Sequence, residues 1–352
     1  MPSSPSTAPS PQPPRRRSSS SSGRSALWAL LGVAVGFLLP VMACGGLMLV
    51  AAISAAISGG GAASAPAKAP IAQHVRGPMT GPAVAIIPVH GPIVEGSTSP
   101  FNSSEVAAAD DIIAMIRAAK QDDSIKAIVL DVNSPGGGIV PSDRIYEALK
   151  STNKPIVVLM SDLAASGGYY ISMAGDYIYA NPYTLTGSIG VISSFPNAEG
   201  LMEKIGIEMT VIKSGEAKDF GSPYREMTPE EKAYWQHVID QAYDHFVEIV
   251  AEGRGLPENK VRELADGRVY TGIDALDLGL IDALGYQDDA IAKAADLGGI
   301  RDVPRVVRYT PPMSPLEAML GNAFGGYPLQ FGFGAFPLNN ALSPSLEYRW
   351  MP

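Results

Sequence analysis

Apolar positions along the middle of the chain come in two kinds of block. Ala83 to Val89 and Ala127 to Val132 are short continuous apolar runs, while Val106 to Ala119 carries apolar residues at helical spacing. Pro155 to Met160 reads as another buried strand, followed by strands at Tyr177 to Ala180 and Gly206 to Ile212, with helices over Ser142 to Lys150 and Gly167 to Ala174. Strands that lack polar alternation and are separated by helices predict a mainly parallel sheet covered on both faces, an α/β fold.

The longest predicted helix is marked at both ends. Thr228-Pro229-Glu230-Glu231 supplies an N-cap, a proline at the first helical position and a capping-box glutamate, and Gly253 and Gly255 lie at the far end. Trp235, Val238, Ile239, Ala242, Phe246, Ile249 and Val250 form one apolar stripe. Opposite it lie His237, Asp240, Gln241, Asp244 and His245, whose spacing a solvated polar face explains without a metal ion.

The N-terminal pattern is different. Residues 1–25 hold Pro, Ser and four arginines (Arg15, Arg16, Arg17, Arg24) with no acidic residue, a composition that favours disorder. Residues 26–57 are uncharged and apolar, long enough for one transmembrane helix, which needs roughly 20 residues. The arginines before it keep the N-terminus cytoplasmic and place everything after residue 58 outside. Ala63-Ser64-Ala65 offers a signal-peptidase cleavage site and Val41-Met42-Ala43-Cys44 a lipoprotein box, but the apolar run is too long for the first and continues too far past Cys44 for the second. A Gly/Ala/Pro linker (58–78), a domain over 79–300 and a tail over 301–352 complete the expected organisation. Pro311 to Pro352 contains four of the nine phenylalanines with Glu317, Glu347 and Arg349 as its charges, and is expected to be irregular, with aromatics able to dock on a groove.

Cys44 is the single cysteine, which leaves the exported part without disulfides or a thiolate metal site. The net charge is −9, and no basic cluster lies outside the leader, which argues against nucleic-acid binding.

Candidate chemistry sits at strand-to-helix transitions. Gly136-Gly137-Gly138 follows the Ala127 to Val132 run; its backbone N–H groups can face a developing oxyanion, although taken alone a tight turn accounts for them. Ser166, followed by Gly167-Gly168, is either an N-cap or a nucleophile exposed at the C-terminal edge of the sheet. No histidine has a sequence context that marks it as a base, whereas Lys218 can fill that role if it is buried enough to lose its proton, with Asp219 turned away.

Taken together, several phrases resemble the signal peptide peptidase A family of bacterial membrane serine proteases. They are Asn133 to Gly137, Ala164 to Tyr170, Thr186 to Val191, Lys213 to Lys218 with Ser222 to Met227, and Arg268 to Gly272 with Leu278 to Asp282. The resemblance covers residues 80–297. It implies a Clp-protease/crotonase-like fold and a Ser/Lys dyad: Ser166 as nucleophile, Lys218 as general base, Ser188 orienting the lysine, and Gly137 with Gly167 as the oxyanion hole. It also implies no cofactor, a ring of subunits in which Ser166 meets a neighbour's Lys218, and peptide substrates: remnant signal peptides and misfolded exported proteins. The implied location is the bacterial inner membrane. A crotonase-like acyl-CoA enzyme and a catalytically silent membrane scaffold are the alternatives from other classes.

Overall fold

The structure, a computed structural model, describes residues 70–98 and 106–311 and the backbone of a strand at Glu347–Arg349. The expected leader, transmembrane helix and most of the linker lie outside the described residues, among which no helix is long and apolar enough to cross a membrane.

Strands β1 (Ile71–Arg76), β2 (Ala83–His90), β3 (Ile93–Val94) and β4 (Ala107–Ala108) lead into helix α1 (Ala109–Gln121). Strand β5 (Ile125–Ser134) passes into β6 (Gly136–Gly138) and helix α2 (Ile139–Lys150), and β7 (Ile156–Ala165) into the short helix α3 (Gly167–Ser172). Strands β8 (Tyr177–Ala180) and β9 (Leu185–Gly187) precede helices α4 (Glu199–Ile205), α5 (Pro229–Arg254) and α6 (Glu258–Leu264). Then follow β10 (Val269–Thr271), α7 (Gly272–Asp277), β11 (Ala283–Leu284), α8 (Gln287–Leu297), β12 (Arg305–Thr310) and β13 (Glu347–Arg349).

The main sheet runs β1-β12-β2-β5-β7-β8-β11, with β9 also pairing on β7 and β10 on β9, and is parallel except that β1 pairs antiparallel with β12 and β10 with β9. Side chains alternate between two apolar layers. Ala85, Ile87, Ile128, Leu130 and Val158 face the layer containing Ile112, Ile116 and Phe246, and Val84, Ile86, Val129 and Val157 meet Ala290, Ile291 and Ala294 of α8. Burial on both faces is why β2, β5 and β7 read as unbroken apolar runs. A second small sheet, β13-β6-β3-β4, stands at the C-terminal end of β5.

Three expectations fail, each for a physical reason. The stretch assigned to the linker contains β1, an edge strand whose six residues are all exposed and so carry no apolar signature. The stretch assigned to the tail contains β12, buried in the sheet between β1 and β2, and the three-residue strand β13. Gly206 to Ile212 is not a strand: Gly206 ends α4 in the left-handed conformation (φ 72°), and the following residues find no pairing partner among the described residues. The alternation of Ile207, Met209 and Val211 is present, but all three are about half exposed.

Helix α5 has the expected ends. Thr228 Oγ1 accepts from Glu231 N at 3.2 Å, Glu231 Oε2 accepts from Thr228 N at 2.9 Å, and Gly255 closes the helix at φ 61°. Its stripe divides in two: Phe246, Ile249 and Val250 are in the core, whereas Trp235 packs edge-on against Phe195 at 5.3 Å in a separate aromatic group with Phe220.

Candidate active site

Ser166 lies between the end of β7 and the start of α3 and is 1% exposed. Its backbone has φ 54° and ψ −115°, outside the regions that a side chain tolerates easily. Asn153, Ser166 and Ser188 are the described non-glycine residues with positive φ, so two of the three are candidate site serines. The surroundings hold Ser166 in this shape. Its N–H donates to Gly187 O at 2.7 Å, and Thr186 Oγ1 donates to Ala164 O at 2.7 Å, clipping β9 to β7. Behind it, Tyr169 and Tyr170 are fully buried, their hydroxyls donating to Leu280 O and Asp143 Oδ1, each at 2.8 Å. Burial pushes the Tyr169 hydroxyl well above its ordinary pKa and keeps it neutral.

The parallel pairing of β7 with β9 sets Ala165 opposite Gly187, bringing the Ser166 and Ser188 backbones side by side. Ser188 is buried at φ 48°, with its N–H donating to Arg268 O at 2.8 Å. Gly187 has φ 79°, and a Cβ there would lie 2.7 Å from the Tyr270 ring, so glycine is required twice over.

Gly137 occupies the middle of β6, opposite Ile93. A Cβ on Gly137 would fall 1.9 Å from Ile93 O. The turn into β6 is fixed by Ser134, whose Oγ donates to Gly91 O at 2.7 Å and accepts from Gly136 N at 3.1 Å. A Cβ on Gly168, one residue past Gly167, would lie 2.9 Å from Ser134 O, so the start of α3 packs directly on the strand that leads to the glycines.

Lys218 is not brought to this cluster. It sits on a 3₁₀ turn, Glu216–Asp219, is exposed, and makes no hydrogen bond to Ser166 or Ser188 among the described residues. The burial expected for a lysine base is therefore absent from the single chain. The turn itself is firmly held. Asp219 is bound by Lys213 at 2.8 Å and by two nitrogens of Arg225 at 3.0 and 2.9 Å, and Arg225 also reaches Glu231 at 2.6 and 2.8 Å. Hydrogen bonds from Arg225 and then Lys213 hold the Asp219 carboxyl far below the usual carboxylate range, and Arg225 lowers Glu231 to about 2. The Asp219 charge is thus committed to Arg225 and Lys213.

Sequence reasoning missed Arg225 as the residue that links the lysine turn to the cap of α5. Its signal was present in the run Ser222 to Met227, next to the capping box.

A Gly-rich backbone edge beside a buried, conformationally strained serine suits acyl transfer, with the serine attacking and main-chain N–H groups holding the oxyanion. Comparison with known proteins points the same way. The profile described as Peptidase family S49 matches residues 148–301, and that described as Clp protease matches residues 100–188. A Methanocaldococcus jannaschii protein provisionally named a protease is 43% identical over 54% of this chain and 61% of its own length. One from Enterococcus faecium, provisionally named signal peptide peptidase SppA, is 42% identical over 58% of this chain and 60% of its own. A third, from Synechocystis sp. and also provisionally named a protease, is 46% identical over 53% of this chain and 69% of its own. The chain thus spans about three fifths of the first two relatives.

Proposed function

The chain belongs to the signal peptide peptidase A family, peptidase family S49, and from that premise we propose that it is a membrane-anchored serine endopeptidase working through Ser166 and Lys218. The observation that carries this reading is the conformation of Ser166, a buried serine held at positive φ between a strand and a helix, beside Ser188 and near the glycine strand. In the proposed reaction, Ser166 Oγ attacks the scissile carbonyl and passes its proton to Lys218 Nζ. The N–H groups of Gly137 and Gly167 receive the oxyanion, and the leaving amine takes the proton as the acyl-enzyme forms. Water then releases the acyl group by the same route, and Ser188 orients the lysine.

Lys218 must meet Ser166 from another subunit. Its exposure in the single chain supports this, as do the uncovered apolar side chains near its turn: Leu201, Ile205, Ile207, Val211 and Ile212, the last 96% exposed. A ring of subunits would cover these residues and desolvate the lysine together. The four arginines before residues 26–57 support one transmembrane anchor with the protease domain outside the cytoplasm. Remnant signal peptides and misfolded exported proteins are the substrates this placement supplies.

The test is hydrolysis of casein and of a signal peptide by the full chain, with fluorophosphonate labelling and acyl-CoA thioester turnover measured alongside. Loss of cleavage and labelling in Ser166→Ala is expected. Cleavage close to wild type in that variant would overturn the assignment. Thioester turnover without proteolysis would favour a crotonase-like enzyme, and neither activity nor labelling a silent scaffold.

A further inference from the structure

The phrases Ala164 to Tyr170 and Leu278 to Asp282 are distant in the chain, yet the fold joins them through one buried hydrogen bond, from the Tyr169 hydroxyl to Leu280 O at 2.8 Å. The loop that presents Leu280 is itself held by Arg254, the last residue of α5. Its Nε donates to Gly279 O at 3.0 Å, and its two terminal nitrogens reach the Asp282 carboxylate at 2.8 and 3.1 Å. Asp282 Oδ2 also accepts from Ile178 N at 2.7 Å, which anchors the loop on β8. The Arg254 side chain is 8% exposed, so the fork works where charged hydrogen bonds are poorly screened by water.

The same end of α5 also rests directly on α3. A Cβ on Gly253 would lie 2.9 Å from Met173 Cβ and 3.0 Å from Met173 O, and nearer the middle of α5 the Phe246 ring meets that of Tyr170 edge-on at 5.2 Å. Helix α3 has six residues, too few to be stable alone, so its position depends on what lies behind it. Ser166 is bound into its first turn, the serine carbonyl accepting from Tyr170 N at 2.8 Å. With Ser166 read as the nucleophile, we infer that Arg254 is a positioning residue for it. Through Gly279 and Asp282, Arg254 fixes Leu280; Leu280 holds Tyr169, and Tyr169 sets where α3 presents Ser166 to the oxyanion donors.

Two mild variants test this in the full chain. Tyr169→Phe removes one hydroxyl, and Arg254→Lys keeps a positive charge beside Asp282 while losing the planar fork. Each is expected to lower kcat for a fluorogenic peptide about tenfold with KM nearly unchanged, less than the roughly hundredfold that a 1 Å misplacement costs. Because both residues act through one series of bonds, the double variant should lose no more than the worse single one. Losses that multiply would overturn the proposal, as would wild-type kcat in either single variant. Amide exchange gives a readout independent of turnover: it should quicken in residues 167–173 and stay unchanged in β2 and β5. Unchanged exchange in residues 167–173, or a rise spread over the core strands, would refute positioning. Should Ser166→Ala retain activity, the nucleophile assignment fails and the catalytic role of Arg254 with it, while the exchange result still decides whether Arg254 holds α3.

Discussion

Arg225 and Asp219 meet fork to fork, with Nε and a terminal guanidinium nitrogen 3.0 and 2.9 Å from the two carboxylate oxygens. Because Asp219 adjoins Lys218 and Arg225 also binds Glu231 at the cap of α5, this pair fixes where the lysine turn sits relative to the longest helix. Arg225→Ala should reduce kcat about tenfold, the equivalent of ~1.4 kcal/mol, with KM and the melting temperature of the core nearly unchanged. Arg225→Lys should recover little, since an ammonium cannot bridge two carboxylates in the same plane. A parallel loss of global stability would show that the pair is merely structural.

The same network sets a pH dependence. The folded-state values of Asp219 and Glu231 lie below their unfolded values, so their stabilisation is complete above about pH 4–5. It is lost as the pH falls through the folded values, with Glu231 at about 2. Amide exchange in residues 213–231, corrected for intrinsic rates, should therefore show constant protection from neutral pH down to about 5 and falling protection in more acidic solution. Protection that changes between pH 6 and 8 would point to a different group.

Gly137→Ala tests the close approach of two backbones. Its Cβ would meet the Ile93 carbonyl at 1.9 Å, so β3 or β6 must move. Peptidase activity should fall by about a hundredfold or more, the scale of a lost oxyanion donor, while fluorophosphonate labelling of Ser166 drops in step. Near-normal activity would remove Gly137 from the site.

How far these residues can be found without a structure depends on what holds each in place. Strands β2, β5 and β7 are buried on both faces, so their position is written in local composition. The α5 cap is likewise local, being made by Thr228 and Glu231 only three residues apart. Strands β3, β4 and β6 are two or three residues long and exist because distant segments pair with them, which no periodicity records. Ile207, Met209 and Val211 show the opposite failure: they have a strand pattern but no strand among the described residues to pair with. Ser166, Ser188 and the glycines stood out as phrases, whereas the strained geometry of the two serines emerges only when β7 and β9 lie side by side.

Sharing of the site between subunits can be tested by complementation. Co-expressed Ser166→Ala and Lys218→Ala chains, purified through two different tags, should regain about a quarter of wild-type activity. Half of the serines are intact in a random ring, and half of those face an intact lysine. Verified mixed rings without activity would require a dyad within one chain.

Membrane orientation has its own check. Protease added to spheroplasts should digest the domain beyond residue 78 if the arginines stay cytoplasmic. Protection until lysis would mean the reverse orientation.

The bare glycine edge of β6 also bears on which proteins can be cut. If peptide substrates pair there, an edge with no side chains to read sequence selects on whether a main chain is free to pair. A folded domain has already committed its strands, and at a stability of about 5 kcal/mol it is open for roughly one part in several thousand of the time. When opening and closing are fast, its cleavage is slowed by the same factor. A destabilising mutation or a missing partner in the victim protein would then raise its turnover without changing a single residue at the cleavage point, so such a peptidase would measure fold stability.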